Sequence, residues 1–163
     1  MHDLSAELMV LTGRLTRTVT RAAGVDVPTA SLRLLSQVDE LGPVTIGALT
    51  DADRCSQPTM SSAVQTLCRR GWASKTRNPE DGRSSLVTLT DAGREVLDDA
   101  RRKRAEVVVG LFTADPGHDE RDLATAVTVF RGLLAARTPH GRPDEQPDEL
   151  ADVQPDEQPE GVA

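Results

Sequence analysis

Two groups of side chains in this sequence have types and spacings that could act on a partner. The first is Asp81-Gly82-Arg83, inside the polar run Asn78-Pro79-Glu80-Asp81-Gly82-Arg83-Ser84. A guanidinium at a loop tip suits a narrow, polyanionic groove, where negative potential concentrates. The second is Gln57, Thr59, Ser61, Ser62, Gln65 and Arg69, preceded by Ser56. Most of these fall on one face at helical spacing. Glutamine can bond adenine at two edges, and serine or threonine can bond bases or phosphates. Their short side chains also let a helix backbone approach another surface closely. Arg54, Lys75 and Arg77 flank both groups as candidate phosphate contacts. Arginine and lysine are absent from the first turns of this helix, so strong guanine readout is not expected.

Each signal has a plainer reading. Asp81 and Arg83 could form an exposed ion pair that stiffens a turn. The Ser/Gln face could simply be solvated, and the flanking bases could be ordinary surface charges. An ion pair at a loop tip contributes little to stability, which favours a partner for Arg83.

The elements that must position these groups can be read from periodicity and stop signals. Thr45 caps a short helix over 45–53, with Ile46 and Leu49 inward. A turn at 54–56 leads to a helix over 57–70 that stops at Gly71. In it Met60, Val64 and Leu67 recur at i, i+4 and i+7, opposite the polar face. Ser56 is its N-cap, and Pro58 is tolerated in its first turn. Two strand-like runs, 72–77 and 85–89, flank the polar loop, whose Asn78-Pro79 and Asp81-Gly82 are turn dipeptides. Upstream, a helix over 4–23 carries Leu4, Leu8, Leu11, Leu15, Val19 and Ala22 on one stripe. Another over 28–40 carries Leu32, Leu35, Val38 and Leu41 and ends at Gly42-Pro43. Downstream, Thr90 caps a helix from Asp91 to about Leu111, with Ala92, Val96, Ala100 and Val107 inward. A last helix over 119–136 carries Leu123, Val127, Phe130, Leu133 and Leu134. The expected fold is mainly α with a small β wing.

Composition narrows the function classes. The chain has 163 residues and a net charge of −7, with only 2% aromatic residues. The charge is uneven. Residues 139–163 carry eight acids and one arginine, and residues 1–138 carry 18 of each sign. Within 54–83, six bases stand against two acids, a local net of +4. Local charge governs attraction within about a Debye length. From Pro139 onward apolar residues are sparse, and Pro-Asp-Glu-Gln-Pro occurs at 143–147 and again at 155–159. That composition predicts a disordered acidic tail. It could compete with a polyanion for the basic face or simply aid solubility.

Several chemistries lack their constellation. There is no Ser–His–Asp order, no phosphate-cradling glycine loop and no paired catalytic carboxylate, so no enzyme is expected. Asp98-Asp99 and Glu80-Asp81 read as surface and turn charges. His2, His118 and His140 are scattered and predict no metal site. Cys55 and Cys68 lie near opposite ends of one helix, about 20 Å apart, too far for a disulfide. Cys68 reads as a small packed residue, and Cys55 as that or a redox-sensitive thiol. Arg101-Arg102-Lys103-Arg104 reads as a solvated face or a contact for the acidic tail. No run of about 18 apolar residues or signal peptide is present, so a cytoplasmic protein is expected.

The order of three helices, a polar-faced helix, a hairpin and two more helices resembles the MarR family of winged helix-turn-helix regulators. Asp81-Gly82-Arg83 followed by Leu86-Val87-Thr88-Leu89-Thr90-Asp91-Ala92-Gly93 is similar to the family's wing signature, and Leu67-x-x-x-Gly71 also fits. The resemblance covers roughly 4–136. It implies a DNA-binding winged helix at 27–93, with 1–26 and 94–138 forming a helical dimerisation region. It further implies a homodimer on a pseudo-palindromic operator in double-stranded DNA, usually as a repressor. Arg83 would enter the minor groove, oriented by Asp81. Gln57, Thr59, Ser61, Ser62 and Gln65 would face the major groove. Family members often bind small phenolic effectors between the dimer stem and the DNA lobe, but this chain offers few aromatic partners for one. No cofactor is implied. A non-specific architectural DNA-binding protein is the alternative reading.

Overall fold

The computed structural model describes residues 1–136, so the acidic tail lies outside the described residues. The chain divides into a unit Met1–Gly117 and a second unit beginning at His118. In the first unit, α1 (His2–Ala22) and α2 (Thr29–Leu41) lead to a two-residue strand β1 (Val44–Thr45). Then come α3 (Ile46–Asp53), α4 (Gln57–Arg69), β2 (Ala73–Arg77), β3 (Ser85–Leu89) and α5 (Asp91–Ala114). In the second unit, α6 (Glu120–Ala135) opens with a capping box between Asp119 and Asp122.

The expected two-stranded hairpin is a three-stranded antiparallel sheet, ordered β1-β3-β2. Lys75 pairs with Val87 and Arg77 with Ser85, while Val44 pairs with Val87 on the other edge. A two-residue strand shows no alternation in sequence, and its partner lies some forty residues away. That is why it was not foreseen. It ties the entry of α3 to the hairpin.

One core holds the first unit together. Leu32, Leu35 and Val38 of α2 meet Leu49 of α3, Met60, Val64 and Leu67 of α4, and Val87 of β3. Leu35, Leu49, Val64 and Val87 are fully enclosed. Each such side chain contributes about 1.5–3 kcal/mol relative to exposure. The expected stripes are corrected in two places. Leu41 is half exposed, lying past the last buried turn of α2. Ala92 faces solvent, and the buried line of α5 runs through Gly93, Leu97 and Ala100.

Gly93 is needed for space. A Cβ there would overlap the carbonyl oxygen of Trp72 and lie 2.8 Å from its carbon. Thr90 completes this junction. Its side-chain oxygen accepts from the Gly93 backbone N–H at 3.1 Å and donates to the Gly71 carbonyl at 2.6 Å.

Most of the basic run on α5 is neutralised within the unit. Arg101 pairs with Asp39 at 2.9 Å and Asp98 at 3.4 Å, and Arg102 and Lys103 both pair with Asp99. The Lys103 hydrogen bond, with both cations nearby, holds the Asp99 carboxyl below the ordinary carboxylate range.

α1 buries only Val19. Its Leu4, Leu11 and Leu15 are at least half exposed, as are Val129, Leu133 and Leu134 of α6.

Candidate nucleic-acid interface

The turn between α3 and α4 is set by Arg54, which adopts φ 50 in the left-handed region. Asp53, just before it, accepts from Arg33 at 2.8 Å and from Gln37 at 3.2 Å, so the end of α3 is clamped to α2. Ser56 then caps α4, accepting from the Thr59 N–H at 3.4 Å. The Ser56 and Thr59 hydroxyls share a hydrogen bond of 2.7 Å. These two hydroxyls are therefore already engaged in starting the helix.

The rest of the polar face of α4 is open. Gln57, Ser62, Gln65 and Arg69 are exposed, whereas Ser61 is half buried. Arg69 donates to the Thr66 hydroxyl at 3.1 Å, and Thr66 donates to the Ser62 carbonyl at 3.0 Å. The helix ends at Gly71, φ 73, with the Trp72 N–H donating to the Leu67 carbonyl at 3.0 Å. A left-handed glycine satisfies the last carbonyls this way. The Arg70 guanidinium lies 4.8 Å over the Trp72 ring, a cation–π contact that holds it against the start of the hairpin.

The loop between β2 and β3 is closed by its own polar groups. The Asn78 amide donates to the Ser84 hydroxyl at 2.9 Å, and the Asn78 N–H donates to the Ser84 carbonyl at 3.1 Å. The Ser84 N–H donates to the Asp81 carbonyl at 3.0 Å. Asp81 does not pair with the Arg83 guanidinium. Its carboxylate accepts the Arg83 backbone N–H at 3.0 Å, so it sets the path of the chain through Arg83.

Arg83 and Gln57 line one open groove of about 470 Å³, with Asp81, Asn78, Ser84 and Ser85 from the hairpin and Thr45, Ile46 and Gly47 from the start of α3. The groove thus joins the tip of the hairpin to the first residue of α4. Arg54, Ser61, Ser62, Gln65, Arg69, Lys75 and Arg77 are not among its lining residues. Sequence reasoning overlooked Thr45, Gly47, Asn78, Ser84 and Ser85 as surface residues of this groove. Only the turn and cap chemistry of Thr45 and Asn78 could have pointed there.

The cations of this face, Arg54, Arg69, Arg70, Lys75, Arg77 and Arg83, have no carboxylate partner among the described residues. No group of His, Cys, Asp and Glu among the described residues could hold a metal ion. Cys55 and Cys68 are free, half buried and packed against the core.

A helix-turn-helix joined to an arginine-tipped hairpin defines a winged-helix DNA-binding protein. The profile of the MarR family matches residues 28–85. An uncharacterised HTH-type transcriptional regulator of Mycobacterium bovis is 31% identical over 137 residues, covering 83% of this chain and 95% of the relative. A solved structure of a proposed transcriptional regulator from Pseudomonas aeruginosa is 30% identical, with TM-score 0.68, covering 82% of this chain and 94% of the other. A mutant of Escherichia coli MarR, solved with operator DNA, shares the fold at TM-score 0.57 and 17% identity, covering 81% and 94% of the two chains. The chain belongs to the MarR family of DNA-binding transcriptional regulators.

Proposed function

We propose that the protein is a dimeric, sequence-specific repressor that grips a pseudo-palindromic operator with α4 and the hairpin wing. The observation that carries this is the face from Arg54 to Arg83, where six bases have no ion-pair partner among the described residues. The cations of α5 at 101–103, by contrast, have carboxylates of their own. Gln57, Ser61, Ser62 and Gln65 face bases in the major groove, while Ser56 and Thr59 hold the start of the helix beside the backbone. Arg54, Arg69, Lys75 and Arg77 contact phosphates. Arg83 enters the minor groove, its backbone placed by Asp81.

The exposed leucines of α1 and the apolar residues of α6 are the surfaces a second copy would cover. Exposed apolar stripes of this extent mark interaction surfaces. The two recognition helices would then sit about one DNA turn apart, roughly 34–36 Å. No helix among the described residues is long and apolar enough to cross a membrane. A cytoplasmic site of action is supported by the DNA-binding reading. Release by a small effector would act through an open depression of about 310 Å³ beside α5. It is lined by Val25, Val27 and Val96 with Asp26, Glu95, Asp99 and Lys103, and has no aromatic side chain.

A gel shift against duplexes from the gene's own promoter tests the reading. A discrete complex should form and weaken as salt rises, because bound phosphates release counterions. Arg83→Ala should weaken it markedly, and unchanged binding would remove the wing assignment. The short side chains on α4 favour the second reading, a non-specific architectural protein. Footprinting separates the two, since uniform protection without a palindrome supports the second.

A further inference from the structure

Position 82 is the middle of Asp81-Gly82-Arg83, and its backbone conformation does not require glycine. Gly82 is not among the residues of positive φ, which are Arg54, Gly24, Gly42 and Gly71. A Cβ on Gly82 would lie 2.6 Å from Nη2 of Arg77, 3.2 Å from its Nε and 3.3 Å from its Cζ. The Arg77 guanidinium therefore occupies the space a side chain at position 82 would take.

Arg77 is the last residue of β2, and Ser85 is its partner across the ladder. Its side chain reaches from the base of the loop to residue 82. The guanidinium forms no hydrogen bond with a described residue and no ion pair. It is exposed, and all its donors are free for a ligand. The loop beneath it is fixed by its own bonds, including Glu80 N–H to the Asn78 side chain and the Ser84 hydroxyl to the Asp81 carbonyl.

We propose that Gly82 is a positioning residue, whose missing side chain lets the Arg77 guanidinium lie on the tip of the wing as a second DNA-binding cation beside Arg83. This rests on the DNA-binding reading above. With position 82 empty, the guanidinium rests against the loop tip, where it is already close to the phosphates it would meet and has less rotamer freedom to lose than one displaced into solvent. The chemistry it suits is a phosphodiester oxygen flanking the groove that Arg83 enters.

The geometry gives a clean test, because a methyl at position 82 meets only the far end of a flexible side chain. Gly82→Ala should fold normally, with an unchanged far-UV spectrum and thermal midpoint, but should evict the guanidinium. Full-length Gly82→Ala, Arg77→Ala, the double variant and Arg83→Ala would be titrated against a promoter duplex by fluorescence anisotropy across a salt series. Each phosphate contact contributes a slope of about −0.9 in log K against log salt, so losing Arg77 from both copies of a dimer flattens it by about 1.8. Gly82→Ala should weaken binding several-fold, and the double variant should match Arg77→Ala alone. In free protein, the Nε–H resonance of Arg77 should show ordered dynamics that Gly82→Ala abolishes, a readout that needs no DNA.

Binding of Gly82→Ala like the parent, or losses that add in the double variant, would overturn the positioning role. So would an Arg77 Nε–H already fully mobile in the parent. If Arg83→Ala also binds normally, the wing reading itself fails instead.

Discussion

Thr90 donates its hydroxyl hydrogen to the Gly71 carbonyl at 2.6 Å while accepting from the Gly93 N–H at 3.1 Å. One side chain thus closes the exit of α4 and opens α5, nineteen residues further along the chain. Thr90→Val keeps the shape and removes both bonds. The expected loss is about 1–2 kcal/mol, from a helix cap and a hydrogen bond together. Urea unfolding should show a lower midpoint at constant slope, and Thr90→Ser should recover most of it.

Gly93 meets the Trp72 carbonyl on the other side of the same junction. Unlike Gly82, it faces backbone, which cannot swing away. Gly93→Ala should destabilise by about 3 kcal/mol or more, in the range of severe steric substitutions. Thermal denaturation checks this, and a midpoint within a degree or two of the parent would contradict the packing described.

Arg54 combines a strained backbone with a proposed phosphate contact. A non-glycine residue in the left-handed region costs about 1–2 kcal/mol. Arg54→Gly should therefore raise the thermal midpoint while lowering operator affinity and flattening its salt dependence. Opposite signs in the two measurements are the signature, and a gain in both would remove Arg54 from the interface.

The segment 139–163 carries eight acids and one arginine. Proximity to duplex DNA should make it repulsive over about a Debye length, roughly 10 Å at 0.1 M salt. Removing it should tighten operator binding at low salt, with the difference fading as salt rises. Equal affinity of the two forms at low salt would discard the effect.

Much of this architecture was legible before any coordinates. Met60, Val64 and Leu67 announced the buried face of α4, and Ser56, Thr45 and Thr90 were readable as caps because their chemistry is local. The misreadings share a cause. Val44 and Thr45 form a strand only through distant β3. Arg101 finds Asp39 sixty-two residues away. Ala92 looked apolar and inward, whereas Gly93, with no side chain to register in a periodicity, is the residue that packs. At the interface, residue types showed which side chains could meet DNA. They did not show that Ser56 and Thr59 bind each other, or that Arg77 lies over Gly82.

The junction at Thr90 and Gly93 has a mechanical consequence. α5 runs 24 residues without a break from that junction. At ~1.5 Å per residue this is a rod of about 36 Å, so tilting it by about 5° swings its far end by about 3 Å. Anything that clasps the distal end of the rod holds the long arm of a lever whose short arm is the hairpin.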